Sequence, residues 1–123
     1  MVQQMQWDTP AGLDAEVRAL CIAMNHLPGI QTTESCSGHG REPFRIWFDA
    51  LDLGSGFATL ARCTCPRYYP FDGTIQLYHG DVTPVQFLLE MPIGAFEQAD
   101  RLAENLMDHV LDRMKGFNIL LQR

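Results

Sequence analysis

The sequence predicts a two-layer α+β sandwich: a mainly antiparallel sheet of about four strands, built from two hairpins and covered by helices. Three observations lead there. Residues 44–48 and 85–91 alternate apolar and polar with the period of a strand, whereas residues 13–27 and 96–114 place apolar residues at helical spacing. Turn residues separate the strand-like runs closely enough for hairpins. The hairpin-then-helix order occurs twice, and each amphipathic stripe needs an apolar partner face. A length of 123 residues with 46% apolar content supports one core, so a single domain over residues 1–123 is expected.

Thr9-Pro10 offers an N-cap and first-turn proline for a helix over Pro10–Leu27, with Leu13, Val17, Leu20, Met24 and Leu27 as its buried stripe. Pro28-Gly29 ends it. Ile30–Cys36 is β-prone, and Phe44, Ile46 and Phe48 share one face of the next strand while Arg45 and Trp47 take the other. SGHGREP between them reads as a wide hairpin loop. A short helix over Phe57–Arg62 is expected after Gly54-Ser55-Gly56, then a loop through CTCPRYYPFDG. The second hairpin pairs a strand holding Ile75 and Leu77 with one holding Val85, Phe87, Leu89 and Met91, and His79-Gly80-Asp81 forms its turn. A long helix then runs through Phe96, Ala99, Ala103, Leu106, Val110 and Met114, with Gly116 as its stop. The apolar tail FNILLQR is expected to be an added strand, a docking segment or a self-association contact.

Net charge of −6 argues against a broad nucleic-acid footprint, which requires a basic face. The charge is uneven. Gly94–Asp112 holds five acids against Arg101 alone, whereas residues 30–70 hold four acids and four arginines. The middle of the chain is therefore where an anion is best tolerated. The start, MVQQMQWDTP, has no basic segment followed by an apolar run, and no run is long enough for a bilayer span. A cytoplasmic protein with no membrane partner is expected.

The stretch TTESCSGHGREPFRIWF concentrates the chemistry. Ser35, Ser37, Gly38 and Gly40 permit a nest of donors, Arg41 and Arg45 supply planar forks for phosphate or carboxylate, and Glu34 and Trp47 flank them. A small anionic ligand such as a nucleotide suits that set, with Trp47, Tyr68, Tyr69 and Phe71 as candidate walls for a planar group. The plain alternative is a hairpin loop whose arginines pair with Glu34, Glu42 or Asp49. Cys36, His39, Cys63 and Cys65 offer four soft ligands of the kind zinc prefers, although C-x-C is a less usual spacing than C-x-x-C. Cys36 and His39 also form a nucleophile-and-base pair in principle, with no third residue to orient it. The acidic last helix, with Glu97, Glu104 and Asp108, is a candidate protein-binding face.

Through T-T-E-S-C-x-G-H-G and P-F-R-I-W-F, the chain resembles a group of small phage, prophage and bacterial proteins that carry this turn and strand. The likeness covers Leu27–Phe48 closely, and Pro84–Glu90 and Ala95–Asp100 more loosely. It implies a phage or mobile-element context within a bacterial host cell and brings no chemistry with it. A shorter likeness links Ser35-Cys36-Ser37-Gly38 to the S-S-C-S-G-R stretch of tRNA wybutosine-synthesis methyltransferases, but His39 stands where that pattern has Arg. That activity is not carried over. Small α+β phage proteins that sequester nucleotide signals offer an analogy of size and context for a non-catalytic, self-associating ligand binder.

Overall fold

The computed structural model describes residues 15–79 and 84–121. Helix α1 (Ala15–Asn25) leads into strand β1 (Ile30–Cys36), a single 3-10 turn at Gly38–Gly40, and strand β2 (Phe44–Ala50). Helix α2 (Ser55–Cys63), strands β3 (Thr74–His79) and β4 (Val85–Met91), and helix α3 (Phe96–Leu121) complete the chain. The four strands form one antiparallel sheet in the order β1-β2-β4-β3. Each hairpin pairs its own strands, and β2 against β4 joins the two.

The alternation along β2 decides the layering. Phe44, Ile46, Phe48 and Ala50 are buried with Leu89 and Met91 of β4, Val17, Leu20 and Met24 of α1, Leu60 of α2, and Leu102 and Leu106 of α3 in one cluster. Removal of this apolar area from water is the dominant stabilising term. The helices thus cover one face, and the intervening Arg45, Trp47 and Asp49 stand on the other. Aromatic contacts fix the helix positions: Phe57 of α2 packs on Phe87 at 4.9 Å between ring centres, Phe87 stacks on Phe48 at 5.6 Å, and Phe96 opens α3 beside Phe44 at 6.4 Å.

Asn25 ties the end of α1 to β1. Its Nδ2 donates to the Cys21 carbonyl (2.6 Å) and to Thr32 Oγ1 (2.7 Å), and its Oδ1 accepts from the Thr32 N–H (3.0 Å). One side chain therefore satisfies a helix-end carbonyl and an edge-strand donor together.

Several boundaries differ from expectation. Helix α3 continues through Gly116 to Leu121, so Gly116 does not stop it and residues 117–121 are helical rather than a strand. One interior glycine costs only about 1 kcal/mol, which the long run of helix formers before it offsets. Helix α2 begins two residues earlier than predicted, absorbing Gly56 into its first turn. His79 closes β3 rather than forming the turn, while Gly80 and Asp81 lie outside the described residues, as do Thr9, Pro10 and Leu13.

Candidate functional site

Two bulges shape the uncovered face. In β1 the register shifts between Thr32 and Glu34, so Thr33 is the extra residue and its Oγ1 donates to the Trp47 carbonyl (3.2 Å). Thr32 and Ser35 then pair with the inward-facing Phe48 and Ile46, whereas Glu34 and Cys36 pair with the outward-facing Trp47 and Arg45. In β3 the register shifts between Leu77 and His79, and the Tyr78 ring reaches Trp47 edge-on at 6.2 Å and 76°. Leu88 of β4 lies between them in the register, opposite Trp47 on one side and Gln76 on the other. Tyr78 is 58% exposed and Trp47 half-buried, on a sheet face that none of the described helices covers.

Arg45 lies two residues from Trp47 on that face, a rise of ~7 Å along the strand. Its Nε donates to Glu90 Oε2 at 2.7 Å, a partly exposed ion pair with its register partner on β4. Glu34 and Asp49 are the other carboxylates of this face. Gln86 bridges to Asp49 Oδ1 (3.2 Å) and Thr33 Oγ1 (3.4 Å).

The turn between β1 and β2 is wound left-handed. Gly38, His39 and Gly40 have φ of 77°, 53° and 78°, and His39 is the non-glycine residue with positive φ among the described residues. Holding a side-chain-bearing residue there costs ~1 kcal/mol or more, so neighbouring contacts must enforce it. They do so through the backbone. The Gly38 N–H donates to Cys36 Sγ (3.4 Å), the His39 N–H to Ser37 Oγ (3.1 Å), and the Arg41 and Glu42 N–H groups to the Gly38 carbonyl (2.9 and 3.1 Å). A Cβ on Gly38 would lie 2.8 Å from the Pro43 carbonyl oxygen, which accounts for glycine at that step.

The residues singled out from sequence therefore divide. Glu34, Arg45 and Trp47 share the uncovered face, and His39, Gly40 and Arg41 form the exposed tip beside it. Ser37 and Gly38 are buried, and the Gly38, His39, Arg41 and Glu42 N–H groups bond back within the turn rather than opening outward. Ser35 faces α1, where it and Thr32 hydrogen-bond the buried Cys21 thiol; burial nonetheless pushes that thiol up to about 11. Of the aromatic candidates only Trp47 stands at the site. Phe71 is core, Tyr69 Oη meets His109 Nε2 at 3.0 Å, and the Arg62 guanidinium lies 4.3 Å from the centre of the Tyr68 ring. Sequence reading missed Tyr78, whose approach depends on a bulge that leaves no signature in the residues.

The metal reading finds no assembled ligand set. Cys63 is buried on the helix side, where burial raises its thiol pKa, while Cys36 is on the opposite face of the sheet. Among the described residues no group of three or more His, Cys, Asp or Glu side chains is gathered to hold a metal ion, so Cys36, His39, Cys63 and Cys65 do not form one tetrahedral site.

No family model, curated protein sequence or solved structure matches the chain. Among the described residues no helix is long and apolar enough to cross a membrane.

Proposed function

We propose that this chain is a binding protein without covalent chemistry, taking a small planar ligand of negative charge, a nucleotide above all, on its uncovered sheet face. The observation that carries this reading is the solvent-open Trp47–Tyr78 pair in line with Arg45 and the exposed tip. A base stacking on Trp47 would place its charged group toward Arg45, one ~7 Å repeat of alternate residues along the strand, with Arg41 further on at the tip. Because four N–H groups of the turn are engaged within it, charge recognition falls to the arginines: Arg41 is exposed, and Glu90 meets Arg45 through Nε. Sequestration of a nucleotide signal in a phage or mobile-element setting is the biological role this chemistry suits, with self-association presenting more than one such face.

Calorimetric titration with mononucleotides and cyclic dinucleotides tests it. Trp47→Ala is expected to weaken binding ~5- to 150-fold, the range for losing one stacking platform of ~1–3 kcal/mol. Arg41→Ala with Arg45→Ala should abolish it. Affinity unchanged in the double variant, with its circular dichroism intact, would remove the proposed site; no uptake of any nucleotide would remove the ligand class.

A further inference from the structure

On the side away from the sheet, α1 and α3 leave a groove of about 790 Å³ between them. Its floor is small: Ala23 and Ala103 are 1% and 6% exposed, and the half-buried Ile22 and Met107 form its apolar walls. Its two lips differ. The α3 lip carries Asp100, Glu104 and Asp108, all exposed, whereas α1 contributes the exposed Ala19. Among the described residues no basic side chain lines it.

We propose that this groove docks a basic amphipathic helix of a partner protein. The three acids recur every fourth residue, so they stand ~6 Å apart along one side of α3. A helix laid alongside presents Lys or Arg at the same interval, and its apolar side chains enter over the alanines, where the absence of bulk lets two helices approach closely. Acids on a single lip require basic residues on a single side of the partner helix, which sets its direction of entry. Charge also separates the occupants. Residues 1–14 contain no Lys or Arg and two Asp, and a second copy of this chain, at net charge −6, would bring mostly acid against acid. A foreign basic helix is the complementary choice. This surface is separate from the sheet face and does not rest on the nucleotide reading.

The test uses a synthetic helical peptide of about five turns with Leu on one face and Lys along one flank, and a matched peptide with Glu in place of Lys. Fluorescence anisotropy with the full chain should show binding to the Lys peptide alone, weakening as salt rises. Ala19→Trp, which fills the groove from an exposed position, and Glu104→Lys with Asp108→Lys should each reduce affinity by about tenfold or more, roughly the loss expected when a docking contact and its charge partners are removed. Glu42→Lys with Asp72→Lys makes the same change in net charge away from the groove and should reduce it less than about threefold, a screened long-range effect. Equal losses in the two charge variants, or affinity unchanged by Ala19→Trp, would overturn the proposal. A wild-type dimer in sedimentation velocity that Ala19→Trp dissociates would overturn it too, giving the groove to a second copy.

Discussion

Replacing Gly56 by alanine should lower the melting temperature by ~8 °C, although Gly56 lies inside a helix, where alanine is the better residue. A Cβ built at Gly56 falls 1.9 Å from the Pro28 carbonyl oxygen, 2.8 Å from its carbonyl carbon and 2.9 Å from its nitrogen. An unstrained carbon–oxygen approach is ~3.3 Å, so α2 and the α1–β1 connection would have to separate by more than ~1 Å. The obstacle is backbone, and Gly29 follows it at φ of 79°, so no side chain can swing away. Overpacking of this kind costs ~1–3 kcal/mol, and here its upper end applies. Offsetting ~1 kcal/mol of helix propensity leaves ~2 kcal/mol, which at ~4 °C per kcal/mol for a chain of this length gives the stated shift. Thermal unfolding followed by circular dichroism measures it. Gly40→Ala is the control, because a Cβ there meets nothing within 4 Å and only its φ of 78° is strained. If Gly56→Ala melts at or above wild type, the close approach of α2 to Pro28 is not a feature of this protein.

Two further outcomes follow from the interior. Asn25→Ala removes three hydrogen bonds, two of them to Thr32 of β1, and leaves the Thr32 N–H and the Cys21 carbonyl without that partner; urea denaturation should show a loss of ~2–3 kcal/mol with an unchanged m-value, and a loss below ~0.5 kcal/mol would mean water replaces the side chain. Burial pushes the Cys21 thiol from its ordinary 9.0 up to about 11 in the folded chain. The unfolded chain therefore releases that proton first as pH rises, so this contribution is fully present below pH ~9 and is lost between ~9 and ~11. Urea midpoints across that range should fall more steeply in wild type than in Cys21→Ala, and parallel slopes would count against a buried thiol there.

The sequence by itself determined the elements and the inward face of β2. Phe44, Ile46 and Phe48 leave no other way to bury three large side chains on a period-two strand, and the stripe of α1 through Val17, Leu20 and Met24 allows one orientation toward them. It also located the turn at Gly38–Gly40, since three successive left-handed residues need glycines at their ends. The tertiary structure alone decided what stands on the sheet face opposite the helices. Simple alternation from Ile30 would send Glu34 and Cys36 to the helix layer; the extra residue Thr33 inverts it, bringing Glu34 beside Trp47 and turning Ser35 toward Cys21. Cys36 and Cys63 are consequently parted by the sheet, which no spacing along the chain reveals. The same holds for Gly56, which reads as a helix breaker in isolation and is required because Pro28, 28 residues earlier, occupies the space a side chain would need. Local periodicity reports a residue's own backbone state, but bulges and close approaches arise from strands and helices meeting across the fold, and the sheet face that carries Trp47 and Tyr78 is built from those meetings.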